Sequence, residues 1–278
     1  MPGTLFVVAT PIGNLEDITV RALRVLREVA VIAAEDTRRT ARLLARHAIA
    51  TPTTSLHEHN ESAKSAAILD RLKRGDDVAL VSDAGTPTVS DPGGRLIRVA
   101  IDAGIRVEPV PGPSAVLAAL AVAGFETTSF AFFGFPPTRS TERKQWFERL
   151  AAVRGTVVFF EAPHRIAETL GDLRRTVGDC EVVLARELTK AHEELVRGPI
   201  SQVFGRVSSV KGEFTIVADI GESTQINQPG PNVAIDFCEL TKINGVTKRR
   251  AIGQLAKRYG LPPNEVYAML EAAKKSGE

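Results

Sequence analysis

Short apolar runs alternate along the first half of this chain with stretches whose apolar positions recur at helical spacing. Leu5 to Ala9 is the first run, and it stops at the turn Thr10-Pro-Ile-Gly-Asn14. Asp17 is placed to cap a helix whose apolar face carries Val20, Leu23, Leu26 and Val29. Val31 to Ala34 reads as a second strand and runs into Glu35-Asp-Thr-Arg38. Thr40 to His47 and Ser62 to Leu72 have the spacing of amphipathic helices. A strand follows at Val78 to Val81, a helical pattern restarts over Arg95 to Ala100, and Ile105 to Val110 is strand again. Ala115 to Ala123 is a helix rich in small residues. This order predicts an α/β fold with a mostly parallel sheet covered by helices.

The second half continues the alternation with a different texture. Strands are expected at Phe130 to Phe133, Thr156 to Phe160 and Val182 to Ala185, with a helix around Trp146 and Leu150. Glu213 to Ile220 alternates in the manner of an exposed or edge strand. Gly221 to Pro231, rich in Gly, Ser, Gln, Asn and Pro, reads as a linker. The expected organisation is an N-terminal α/β domain over 1–113, a second α/β domain over 114–222, a linker over 223–232 and a basic helical tail over 233–278.

Composition narrows the field. The 278 residues are 44% hydrophobic and 24% charged, with a net charge of +2. Such a chain builds a good core but exerts no global pull on nucleic acid, so any polyanion must meet a local patch. Cys180 and Cys238 lie far apart and read as plain thiols. No basic leader precedes the first strand and no long apolar run follows, which makes a cytoplasmic location the expectation.

Chemistry gathers where strands end. Val81-Ser-Asp-Ala-Gly-Thr-Pro-Thr-Val-Ser-Asp-Pro-Gly93 lies between a buried strand and a helix, the place where open α/β sheets bind ligands. Gly85 permits close approach of backbone, and Pro87 and Pro92 restrict the loop. A phosphate site would want basic side chains here. The loop carries Asp83 and Asp91 instead, which suits a neutral or cationic small molecule.

That loop is one of six segments in a fixed order: Thr10-Pro-Ile-Gly-Asn-Leu, Glu35-Asp-Thr-Arg, the Ser82–Gly93 loop, Pro111-Gly-Pro-Ser-Ala, Glu161-Ala-Pro-His-Arg and Ala185-Arg-Glu-Leu-Thr-Lys. Together they resemble the bacterial small-subunit ribosomal RNA 2′-O-methyltransferases of the tetrapyrrole-methylase-like group of S-adenosylmethionine enzymes, over roughly residues 3–220. One departure is Gly134-Phe-Pro-Pro137, where the family pattern has Leu before the last proline; the swap removes an amide donor.

The resemblance implies a two-domain tetrapyrrole-methylase-like fold with a cofactor cleft between the domains, a homodimer, and S-adenosylmethionine as cofactor. It implies cofactor contacts from Pro11, Ile12, Gly85, Thr86, Val89, Ser114, Ala115, Glu161, Ala162, Phe214 and Thr215. The expected reaction is methylation of a cytidine ribose in the decoding region of 16S rRNA, presented by the assembled small subunit. A base is wanted for the 2′-hydroxyl. Glu35, Asp36, Glu161, Glu187 and Lys190 all lie at strand ends. Lys190 is the first choice, with a pKa lowered by burial or by Arg186; Asp36 and Glu161 serve equally well to orient Arg38 and Arg165.

RNA has three candidate surfaces. Arg38, Arg39, Arg42 and Arg46 share a helical face; Arg139, Arg143 and Lys144 form a second cluster; Lys248, Arg249 and Arg250 open a helix–turn–helix-like tail. His164 reads as packing on the cofactor or capping the next helix. His57 and His59 in Ser55-Leu-His-Glu-His-Asn-Glu61 read as a polar loop, and no metal is expected. A tetrapyrrole methyltransferase and a non-catalytic ribosome-binding module are the other readings. The basic surfaces argue against the first, and the intact Gly85 and Pro111–Ala115 segments argue against the second.

Overall fold

The computed structural model describes residues 1–203, 206, 211–221, 237, 241, 247–259 and 262–276. They form two compact units, Met1–Glu222 and Ser223–Glu278. The linker expected over 223–232 and Cys238 lie outside the described residues.

The first unit holds two five-stranded sheets. Strands β1 (Thr4–Val8), β2 (Val31–Ala34), β3 (Thr53–Ser55), β4 (Val78–Val81) and β5 (Arg106–Val110) make the first, in the order β3-β2-β4-β1-β5. Every pairing in it is parallel. Both β2 and β4 are buried along their whole length, as unbroken Val/Ile/Leu/Ala runs require in a sheet covered on both faces. Their side chains alternate between two cores. Ile32, Ala34, Ala79 and Val81 pack with α1 (Val20–Glu28) and α2 (Thr37–Arg46). Val31, Ala33, Val78 and Leu80 pack with α3 (Glu61–Lys73) and α4 (Gly94–Asp102).

Two helix starts differ from the sequence reading. The α1 cap is Thr19, whose hydroxyl accepts from Ala22 N at 3.1 Å, while Asp17 closes a short 3-10 turn over Leu15–Asp17. The start of α2 is earlier than Thr40, because Asp36 caps it by accepting from Arg38 N at 2.8 Å.

The second sheet has the order β6-β7-β10-β8-β9, from β6 (Phe130–Phe132), β7 (Gly155–Glu161), β8 (Glu181–Arg186), β9 (Glu194–Pro199) and β10 (Phe214–Ile220). Only β6 and β7 pair in parallel; the remaining pairs are antiparallel. Here β10 corrects the edge-strand expectation. It lies at the centre, bonded to β7 along its whole length and to β8 over most of it, and is buried nearly throughout. Asp219 and the preceding Glu213 had imitated solvent-facing positions; between them Phe214, Ile216 and Ala218 enter one core and Val217 the other. The first core is closed by α6 (Ser140–Ala151), α7 (Ile166–Val177) and α8 (Ile200–Val203); the second by α5 (Ala115–Ala123). The strands β3 and β9 and the short α8 had no counterpart in the sequence reading, and α7 figured there only as the helix that His164 would cap.

The second unit contains α9 (Lys248–Tyr259) and α10 (Pro263–Ser276), which share a small core of Leu255, Ala256, Val266 and Leu270 with Phe237 and Ile252 against it. Lys248 and Arg250 are exposed. Among the described residues no helix is long and apolar enough to cross a membrane.

Candidate active site

A cavity of about 270 Å³ opens where the carboxyl ends of β2, β4, β7 and β8 meet the start of β10. The Ser82–Gly93 loop forms one wall. Gly85 pairs with Thr10 through two backbone bonds of 2.9 and 3.0 Å, and the Thr10 hydroxyl donates to Ser82 O. With φ of +80° Gly85 occupies the left-handed region, so a side chain there is strained even though its nearest neighbour, Ile12 Cγ2, lies 3.5 Å away. Thr88 and Ser90 hold positive φ angles of 74° and 67° with no such licence. Ser90 lines the cavity, and Thr88 lies two residues before it in the same loop.

A reciprocal pair of bonds fixes the acidic rim. Asp36 N donates to Asp83 Oδ1 at 2.9 Å and Asp83 N donates to Glu35 Oε2 at 3.2 Å, tying the end of β2 to the end of β4. Opposite them Lys190 Nζ lies 2.8 Å from Glu187 Oε1 and 3.6 Å from Glu213 Oε2. The lining residues include six carboxylates, from Glu35, Asp83, Asp91, Glu161, Glu187 and Glu213, against the two cations Arg39 and Lys190. Burial first, then the charge of Glu35, pushes the Asp91 carboxyl up to about 6. Burial also raises Glu35, helped by Asp83 and opposed by a hydrogen bond from its backbone. Ile12, Val89, Leu188 and Phe214 supply apolar wall, and Ser114 caps α5, so that the start of this helix borders the cavity.

Most of the residues named as cofactor contacts line this cavity: Ile12, Gly85, Thr86, Val89, Ser114, Ala115, Glu161, Phe214 and Thr215. Pro11 is buried behind Ile12, and Ala162 donates its N–H to Glu161; neither lines it. Sequence reasoning left Phe135, Phe160, Leu188 and Glu213 out of the site. Phe160 and Leu188 stand at or just beyond strand ends, which was the available signal.

The three catalytic candidates are differently placed. Lys190 faces the cavity, but its pKa moves the wrong way for the base it was expected to be. Burial lowers it, yet the hydrogen bond to Glu187 and the charges of Glu213 and Glu187 outweigh burial and hold the amine above its usual range. Arg186 is occupied elsewhere, on Glu194 and Lys211 O. Asp36 caps α2 outside the lining, and hydrogen bonds from Arg38 hold it well below the usual carboxylate range. The Glu161 carboxylate is fully buried, accepting from Ala162 N at 2.8 Å and Thr169 Oγ1 at 2.5 Å, with Arg165 Nε at 3.8 Å. Arg165 in turn donates to the carbonyls of Pro136 and Pro137, which anchors the Gly134-Phe-Pro-Pro137 segment.

Arg143 corrects the second basic cluster. Its side chain is 8% exposed, bonded to Asp172 at 2.6 Å and Thr169 at 2.8 Å, and stacked over Phe147. It is an inner strut and cannot meet RNA. Arg139 and Lys144 are exposed beside Glu142 and Glu148. On α2, Arg38, Arg39, Arg42 and Arg46 are all exposed, and Arg39 alone of them lines the cavity. His164 is exposed, away from the lining, and the cap position of α7 is Arg165, so His164 caps nothing. His57 bonds within its own loop to Asn60.

Curated relatives agree over nearly the whole chain. It is 41% identical over 270 residues to Ribosomal RNA small subunit methyltransferase I of Halalkalibacterium halodurans, covering 95% of this chain and 93% of the relative. It is 50% identical over 208 residues to the protein of the same name from Pseudomonas aeruginosa, 74% of each chain. The profile described as Tetrapyrrole (Corrin/Porphyrin) Methylases matches residues 4–203. The chain belongs to the tetrapyrrole methylase family, in its ribosomal RNA small subunit methyltransferase I branch. Solved tetrapyrrole methylases share the fold at low identity. A uroporphyrin-III C-methyltransferase from Thermus thermophilus, complexed with S-adenosyl homocysteine, superposes with a TM-score of 0.57 at 19% identity over 81% of this chain and all of its own. A cobalt precorrin-4 methyltransferase gives 0.58 at 19% over 77% of this chain and 94% of its own.

Proposed function

We propose that this chain transfers a methyl group from S-adenosylmethionine to a ribose 2′-hydroxyl of small-subunit ribosomal RNA, a cytidine of the decoding region, with the assembled subunit as substrate and the cytoplasm as its place of action. The observation that carries the reading is the cavity's charge: five carboxylates, besides the buried Glu161 held by Arg165, against two cations, around apolar walls. A phosphate-bearing cofactor would be repelled there. The lining suits a nucleoside with a sulfonium and an amine: the carboxylates would hold its cationic part, and Ile12, Val89, Leu188 and Phe214 offer apolar surface for its adenosine. When bound, S-adenosylmethionine supplies an electrophilic methyl on a positively charged sulfur.

The chain's own residues supply the rest. The stiffened Gly85 loop and the start of α5 position, and well-oriented reactants gain roughly 7–11 kcal/mol from proximity. Asp91, a lining carboxylate that burial and the charge of Glu35 push up to about 6, is suited to act as general base near neutral pH. Lys190, kept protonated, orients. The names of the curated relatives support rRNA as substrate, and the exposed arginines of α2 beside the cavity support a polyanionic one. The homodimer belongs to the same proposal; Leu117 and Val122 of α5 and Phe130 are exposed apolar side chains that a second copy would cover.

The test is methyl transfer from labelled S-adenosylmethionine to small subunits lacking ribose methylation, with naked rRNA and a tetrapyrrole precursor alongside. Label on a single cytidine ribose of the subunit is the expected result. Label on the tetrapyrrole alone, or on none of them, would sink the proposal.

A further inference from the structure

The loop that carries Lys190 has a second side. Beyond it opens a groove of about 720 Å³ lined by Gly13, Asn14, Leu15, Glu16, Arg46, His47, Thr189, Lys190 and Ala191. Lys190 lines this groove and the cavity alike, so the two are continuous across a single side chain.

The charge inverts there. Carboxylates outnumber cations along the cavity, whereas the groove is lined by Arg46, by Lys190, whose ammonium is paired with Glu187 and Glu213, and by the single acid Glu16. Along α2 the arginines change character in the same direction. Arg38 and Arg39 are paired with Asp36 and Asp83, while Arg42 and Arg46 have no ion pair among the described residues. At the far end His47 Nε2 is buried without a hydrogen-bond partner. A neutral imidazole donates or accepts one bond at that atom, and here none is made.

The groove is also built rather than incidental. Asn14 N donates to Thr189 Oγ1 at 3.0 Å, joining its two walls. A Cβ at Gly13 would lie 2.5 Å from Lys190 Cγ and 2.7 Å from Thr189 Oγ1, so the lysine stem rests on bare backbone. Glu187 and Thr189 hold positive φ angles of 50° and 65°, a strained turn that fixes where the ammonium stands.

We propose that this groove is a phosphate subsite: Arg46 and Lys190 hold the phosphodiester next to the ribose being methylated, and the substrate strand passes from the cavity over Lys190 onto the basic face of α2. The proposal rests on the function assigned above. It gives Lys190 a positioning role, joining a cavity that takes a cation to a groove that takes an anion.

The experiment measures binding of wild type, Arg46→Gln, Arg46→Lys and the remote control Arg24→Gln to purified small subunits across a salt series, with kcat and KM for methyl transfer. Removing one phosphate contact flattens the slope of log affinity against log salt by about one. Arg46→Gln is expected to show that flattening, with a KM for subunits raised several-fold, while kcat and S-adenosylmethionine affinity hold. Arg46→Lys is expected to keep the wild-type slope. An unaltered slope and KM in Arg46→Gln, in a wild type that does methylate the subunit, would overturn the subsite and leave the function standing. A wild type that neither binds nor methylates subunits would bring down both.

Discussion

Asp91 and Lys190 show how far a side chain's neighbours can move it from its ordinary behaviour. The folded protein holds the Asp91 proton more tightly than an unfolded chain does, so ionising this carboxyl weakens the fold as pH rises from about 4 to about 6. Asp91→Asn is therefore expected to be more stable than wild type above pH 6, by on the order of 1 kcal/mol once solvent screening is allowed for. The two should converge below pH 4. Urea denaturation at pH 4 and pH 7 checks this, and calorimetry with S-adenosylmethionine should show the same variant binding more weakly. An equal gap at both pH values would refute the linkage. For Lys190 the expectation is that Lys190→Met raises KM for subunits while the limb of the pH–rate profile near 6 stays in place. A limb in the lysine range that disappears with the substitution would return the base to Lys190.

Elements were legible where their pattern is local. The runs at Val31–Ala34 and Val78–Val81 declared buried strands because no residue in them can face water, and both proved central. The loop after Val81 was legible as a ligand wall from its Gly, Pro and Asp content, before any partner of those residues was known. Position within the second sheet was not. Whether β10 is central depends on which strands flank it, and no residue of Phe214–Ile220 encodes β7 or β8. Arg143 failed for the same reason: its partners Asp172 and Thr169 are on another helix, 29 and 26 residues away. The short β3 and the polar-edged β9 offered too little pattern to read. The placement of β10 has a measurable consequence. Ile216→Ala should cost about 2–5 kcal/mol, as for a buried core residue, in chemical denaturation. A loss near 0.5 kcal/mol, ordinary for a surface position, would mean that the strand is peripheral.

Across the whole molecule, the residues lining the cavity all lie between Ile12 and Thr215, within the first compact unit. A chain ending at Gly221 is expected to bind S-adenosylmethionine within about threefold of the full chain. Its affinity for small subunits should fall, since Lys248 and Arg250 leave with the tail. Equilibrium binding of both ligands to both chains decides it, and loss of cofactor binding on truncation would show that the second unit helps to form the site. The left-handed Thr88 and Ser90 have a further consequence. Glycine at either position would take up the left-handed backbone without strain, but it would also open conformations that Thr and Ser exclude, so the substitution that eases the chain locally would give the loop other shapes to visit.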